Sequence, residues 1–148
     1  MSQIKAQRTS ARFGPDMTAA TDADLSPFDL VGGAAVVRRV VDRFYDLMDE
    51  QPAYAELRAL HAPDLTPMRE SLSGFLTGWL GGPRDWFAAH PGVCVMSAHA
   101  KIPVDRATAA QWCEAMARAL ADAGVDPDLA AQINTAFSRM SQGMRRDA

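Results

Sequence analysis

The sequence is poor in the features that usually announce a chemistry. Two cysteines, Cys94 and Cys113, occur in 148 residues, and in a chain without an export signal a lone bridge between them is not expected; both read as buried or half-buried thiols. The three histidines, His61, His90 and His99, stand too far apart for a local zinc motif such as paired histidines one helical turn apart. No glycine-rich phosphate loop is present. The acidic residues fall on exposed-looking helix faces or at helix starts, where capping accounts for them, so no carboxylate pair stands out for acid–base work. With 15 basic against 18 acidic residues and a formal charge of -3, nothing favours nucleic acid or a membrane surface as partner. No apolar run is long enough to span a bilayer. The N-terminal MSQIKAQRTSARFG also lacks the apolar core of a secretory signal, so the expected location is the cytoplasm.

What is present reads as one helical domain. A length of 148 residues with 48% hydrophobic residues suffices for a real core or for enclosing one flat cofactor. Residues 1 to about 25 have no sustained period and are expected to be a flexible extension. Ser26-Pro27 marks a helix start that runs to about Leu30. After Gly32-Gly33, Val37, Val40, Val41, Phe44, Tyr45 and Met48 recur at helical spacing. Pro52 and AYAELRALHAP suit a short helical connection that ends near His61 and Pro63.

Thr66-Pro67 repeats the start signal, with Thr66 as the capping hydroxyl. Leu65, Met68, Leu72, Phe75, Leu76 and Trp79 then form one apolar stripe, which Gly81-Gly82-Pro83 ends. Residues 84–101 suit short turns and loops. Asp105 caps a helix whose inner face carries Ala109, Trp112, Cys113, Met116 and Leu120 and which stops at Gly124. Asp126-Pro127 opens the last helix, with Leu129, Ile133, Phe137, Met140 and Met144 on its stripe. The fold class is all-α, with four principal helices.

A helical domain of this size is equally consistent with a binding module that has a filled core. A nucleophilic pair of a histidine with Cys94 or Cys113 is conceivable. Haem asks less of a sequence: one neutral imidazole for the iron, an apolar slot and a few donors on the far side. His99, in a short segment closed by Pro103, offers the imidazole. No Cys-x-x-Cys-His occurs, so covalent attachment is not expected.

Several segments in order and spacing then resemble one family. FDLVGG, VVDRFYDLMDE, RALHAPDLTPMRESLSGFLTGWLGGP and SAHAKIPV followed by Trp112 are similar to the second group of the truncated haemoglobins, over about four-fifths of the chain. The resemblance implies a two-over-two helical sandwich around non-covalent haem b, in a domain spanning residues 26–148. It makes His99 the proximal iron ligand, with Tyr45, His61 and Trp112 as distal donors to a bound diatomic. Met68, Leu72, Phe75, Trp86 and Lys101 would border the haem, with Leu76 and Trp79 supporting the slot.

Three departures from the family accompany these matches. Met68 stands where the second group commonly has a small residue, so its larger thioether would narrow ligand entry. Ala98 replaces an arginine that in many relatives pairs with a haem propionate, for which Lys101, Trp86 or Arg69 would substitute. The segment between His90 and His99, holding Cys94 and Met96, is longer than usual. The resemblance thus implies binding, and by extension transport, of oxygen or another diatomic such as nitric oxide, by a monomer or weak homodimer. The alternatives are a haem enzyme converting nitric oxide to nitrate or acting on peroxide, which needs a separate reductase because no flavin or nicotinamide motif is visible, and a haem-free helical interaction domain.

Overall fold

The computed structural model describes residues 25–91 and 102–144 of the chain. The proposed N-terminal extension, and with it His99, Lys101, Cys94 and Met96, lies outside them, apart from Leu25 at the extension's end. Within the described residues every regular element is helical: α1 (Pro27–Val31), α2 (Ala34–Glu50), a 3-10 turn (Pro52–Tyr54), α3 (Ala55–Ala59), α4 (Thr66–Trp79), α5 (Asp85–Ala89), α6 (Arg106–Asp122) and α7 (Pro127–Met144). Helices α2, α4, α6 and α7 are the four principal ones; α2 packs on both α4 and α6, and α6 packs on α7.

Local chemistry explains most of the boundaries. Ser26 accepts the Asp29 backbone N–H at 3.2 Å, and the Asp29 carboxylate accepts the Ser26 N–H in return, a reciprocal cap that starts α1. Asp105 and Thr108 form the same pairing at the start of α6. At α7 the Asp126 carboxylate accepts from the N–H groups of Asp128 and Leu129, both at 3.1 Å. The start of α4 differs from expectation. Thr66 is already inside the helix, and it is Asp64 that accepts the Thr66 N–H, at 3.0 Å. A carboxylate two residues upstream supplies what a hydroxyl was expected to give.

The core is centred on α2. Val41, Phe44, Leu47, Met48 and Tyr54 are fully or almost fully buried, together with Ala115, Met116 and Ala119 of α6 and Phe137 of α7. Each large side chain so buried contributes about 1.5–3 kcal/mol by removal from water. The apolar stripe of α4 divides. Leu65, Leu76 and Leu80 are buried, whereas Leu72, Phe75 and Trp79 are only partly covered and Met68 is 36% exposed. Met68 is therefore not a core residue but the outer end of a half-covered apolar face.

Close approach of α5 to α4 is bought with glycine. A Cβ on Gly74 would lie 2.8 Å from the Trp86 side chain, and one on Gly78 would lie 2.5 Å from the Phe87 ring. These two rings therefore sit directly on the backbone of α4.

Candidate functional site

Tyr45 lies in the last two turns of α2, one position after the buried Phe44, and is itself only 4% exposed. Its ring meets the edge of Phe44 at 5.0 Å and that of His61 at 5.8 Å between centroids. Phe44 in turn stands edge-on to Trp112 of α6 at 5.2 Å. The three residues read as distal donors are thus brought together, Tyr45 and Trp112 against the buried Phe44 and His61 against Tyr45, although they come from α2, α6 and the turn after α3.

The rings continue beyond Trp112. It meets Phe137 at 5.0 Å, Phe137 stacks on Trp79 at 5.0 Å, and Trp79 stacks on Phe75 at 6.4 Å. Phe75 contacts Trp86 at 5.8 Å and Phe87 at 5.6 Å. An unbroken series of aromatic contacts therefore joins His61 to α5. Phe44 and Phe137 are links in it that the sequence marked only as core positions, since an apolar stripe does not distinguish a filler from a spacer.

Hydrogen bonding separates these residues. The Tyr45 hydroxyl and the Trp112 indole N–H make no hydrogen bond among the described residues. Burial pushes the Tyr45 hydroxyl up to about 12, partly opposed by the nearby Arg69 cation, so it remains a protonated donor throughout the neutral range. Trp86 is different: its indole N–H donates to the Ser71 hydroxyl at 3.1 Å. Arg69, the other described residue considered for a propionate, is engaged with Asp42 and Asp46 on α2.

The turn that carries His61 is tied down from three directions. The His61 Nδ1 lies 2.9 Å from the Leu57 carbonyl, which can only accept, so Nδ1 carries the proton. The Leu57 N–H donates to the Gln111 side chain at 3.0 Å, and Gln111 donates to Glu56 at 2.9 Å, linking α3 to the residue beside Trp112. Arg58 pairs with Asp49 of α2 at 2.6 Å and donates to the carbonyls of Ala62 and Pro63 at 3.0 and 2.9 Å. Neither Arg58 nor Gln111 stands out in the sequence, because each is one polar residue in an amphipathic helix.

Whether this arrangement suits haem can be judged from the donor set and the apolar face beside it. Two N–H or O–H donors without a partner among the described residues are held among aromatic rings, with the paired Arg69 cation 5.8 Å from the Tyr45 ring. Beside them Met68, Leu72, Phe75 and Trp79 form a continuous, partly covered stripe along α4. That combination fits a flat apolar macrocycle carrying a small polar ligand. Among the described residues no group of three His, Cys, Asp or Glu side chains is placed to hold a metal ion. His99, read as the iron ligand, and Lys101 lie outside the described residues. No helix among the described residues is long and apolar enough to cross a membrane.

Comparison with known proteins points the same way. The model of the bacterial-like globin family matches residues 26–146. A group 2 truncated haemoglobin of Bacillus subtilis (strain 168) is 25% identical over 104 residues, which is 70% of this chain and 76% of that protein. Among solved structures, a group II 2-on-2 haemoglobin from Agrobacterium tumefaciens superposes with a TM-score of 0.80 at 29% identity, covering 88% of this chain and 98% of that one. The haemoglobin of the thermophilic phototroph Chloroflexus aurantiacus gives 0.75 at 30% identity, covering 82% and 98%. The pairing of α2 with α4 and of α6 with α7 is the two-over-two sandwich of such structures.

Proposed function

Because the chain belongs to the bacterial-like globin family and is a haem globin of the truncated, group II kind, we propose that it binds oxygen and other diatomic ligands at an iron ligated by His99. Tyr45, Trp112 and His61 serve as the distal residues. The observation that carries this reading is the placement of Tyr45 and Trp112 both against Phe44, each with a donor that no other described residue uses.

Haem, when bound, would supply an iron that takes up a diatomic ligand. Everything else in the reading belongs to the chain. Tyr45 presents a hydroxyl whose proton stays in place at neutral pH, and Trp112 presents an N–H that cannot ionise there. A ligand that takes up negative charge on binding gains about 1.5–3 kcal/mol from each such donor, enough to slow its release by roughly ten- to a hundredfold per donor. Phe44, Phe137 and Trp79 keep water away from these bonds, which strengthens them. His61, its tautomer fixed by the Leu57 carbonyl, faces the edge of the Tyr45 ring and helps to orient it. Met68 has no donor to offer, and its partial exposure suits a residue at the mouth of the site rather than a contact to the ligand.

Leu72 and Phe75 on α4, with Trp86 packed over Gly74 and Lys101 beyond, would border the haem. Attachment would be non-covalent, as haem b, since neither Cys94 nor Cys113 belongs to a Cys-x-x-Cys-His motif.

Absorption spectra of the ferric, ferrous and oxygenated protein test the reading. The recombinant protein is expected to show a Soret band that His99→Ala removes or strongly displaces. An unchanged spectrum and unchanged haem uptake in that variant would sink the assignment of His99.

A further inference from the structure

The seam between α2 and α4 carries a group of charges that the proposed site does not itself use. Arg69, on the second turn of α4, has a side chain only 19% exposed. One of its terminal nitrogens donates to the Asp42 carbonyl at 3.1 Å and to the Asp42 carboxylate at 3.0 Å; the other donates to the Asp46 carboxylate at 2.9 Å. Asp42 and Asp46 bracket Tyr45 on α2, three residues before it and one after. The Arg69 guanidinium carbon lies 5.8 Å from the centre of the Tyr45 ring, within the range at which a cation is attracted to an aromatic ring. Arg38 locks the arrangement from the other side: it pairs with Asp42 at 3.2 Å and reaches Glu70, the neighbour of Arg69, at 3.0 Å.

We propose that Arg69 is a positioning residue for the distal site, a cationic clasp that fixes the Tyr45 ring at the α2–α4 seam and offsets the two carboxylates beside it. The inference rests on the reading of Tyr45 as a distal donor. Two physical effects follow from the geometry. First, three hydrogen bonds from one planar group to two successive turns of α2 fix the rotation of that helix against α4, and with it the direction in which Tyr45 points. Second, without the cation, Asp42 and Asp46 would place uncompensated negative charge next to the phenol ring. Negative charge there holds the hydroxyl proton more tightly and makes it a poorer donor. The direction of the Arg69 influence on Tyr45, against that of burial, agrees with this. Lysine cannot replace both functions, because it keeps the charge but loses the planar fork.

The test uses haem-loaded protein and four variants: Arg69→Met, Arg69→Lys, Tyr45→Phe and the double variant Arg69→Met with Tyr45→Phe. Oxygen dissociation is measured by stopped flow, and the stretching frequency of bound carbon monoxide reports the donors around the ligand without reference to turnover. Arg69→Met is expected to speed oxygen release about tenfold and to shift the stretching frequency; Arg69→Lys should fall between it and the parent. In the Tyr45→Phe background, Arg69→Met should change neither quantity further. The proposal is overturned if Arg69→Met lowers the melting temperature yet leaves both ligand signals at parent values. It is also overturned if its effect is undiminished when Tyr45 is phenylalanine. If Tyr45→Phe alone changes nothing, the distal reading of Tyr45 fails, and that outcome is distinct from a failure of Arg69. Should Arg69→Met take up no haem, the comparison of Arg69→Lys with the parent decides in the same way.

Discussion

Helix α2 is held on two sides by different physics. Towards α6 it presents Val41, Phe44 and Leu47, all without exposed surface, to a partner whose inner face is Ala115, Met116 and Ala119. Among the described residues one charge pair crosses there, Arg43 with Asp122, at the partly exposed edge. Towards α4, Leu76 is also buried, but the crossing is edged by ion pairs: Arg69 with Asp42 and Asp46, and Arg38 with Glu70, all at 3.0 Å or closer, while Arg38 braces Asp42 within α2 at 3.2 Å. Half-exposed ion pairs are worth at most about 1 kcal/mol each, whereas removal of a buried aromatic ring costs several times that. The ion pairs on the α4 side therefore contribute register more than stability. Tyr45 stands where the two meet, so its position depends on both.

The largest expected effect breaks the apolar side. Phe44→Ala removes a ring that separates Tyr45 from Trp112 and has no exposed surface, so it should cost about 3–5 kcal/mol in urea denaturation. If the ionic seam carried comparable stability, Phe44→Ala and Arg69→Met would shift the denaturation midpoint alike; the α6 side is expected to dominate clearly.

How far each side could be read from the sequence follows from the same contrast. Apolar spacing on α2, α4, α6 and α7 is a local signal, and it marks all four principal helices and the core side chains of α2 other than Leu47. Capping at Ser26, Asp105 and Asp126 is local too. At α4 the signal misled slightly, because Thr66-Pro67 looks like a cap while Asp64 provides it. The ionic seam left no trace: Asp42 and Asp46 looked like ordinary exposed acids, and their partner Arg69 is more than twenty residues away. Nothing local says which arginine meets which carboxylate. Met68 shows a related limit. It has helical spacing with Leu72 and Phe75, but periodicity cannot say that this part of the stripe is left half covered. Tyr45, His61 and Trp112 stand out through resemblance to a family rather than through local pattern, and the contact of Phe44 with both Tyr45 and Trp112 emerges only in three dimensions.

A second, smaller expectation uses the acidity of Tyr45 itself. Burial raises its hydroxyl to about 12 in the folded chain, from the ordinary tyrosine value of about 10. An acid whose folded value is raised favours the folded state fully below the unfolded value, and that favour is lost as pH rises through the folded one. Between about pH 10 and pH 12 the protein should therefore lose up to about 3 kcal/mol on this account. Tyr54, the only other tyrosine and also raised, contributes in the same direction. In a Tyr54→Phe background, adding Tyr45→Phe should flatten the fall in denaturation free energy between pH 9 and pH 11. An equally steep fall in both proteins would show that Tyr45 is not shielded from water as the packing implies.

The smallest expected effect lies on α4, one turn beyond Arg69. The Ser73 hydroxyl is buried and makes no hydrogen bond among the described residues. Spacing of four residues puts it on the same helix face as Arg69, so it belongs to the side that faces the charged seam. A seam held by specific ion pairs tolerates such an unsatisfied group, because its geometry is set by charges rather than by tight filling. Removing the oxygen relieves the desolvation cost of an unpaired hydroxyl, while alanine is also the better helix former. Ser73→Ala should therefore stabilise the protein, by about 0.5–1 kcal/mol in urea denaturation, whereas a comparable trimming on the α6 side, such as Val41→Ala, should destabilise it. A loss of stability in Ser73→Ala would mean that the hydroxyl has a partner and that the seam is filled as closely as the core, which would erase the difference between the two sides of α2.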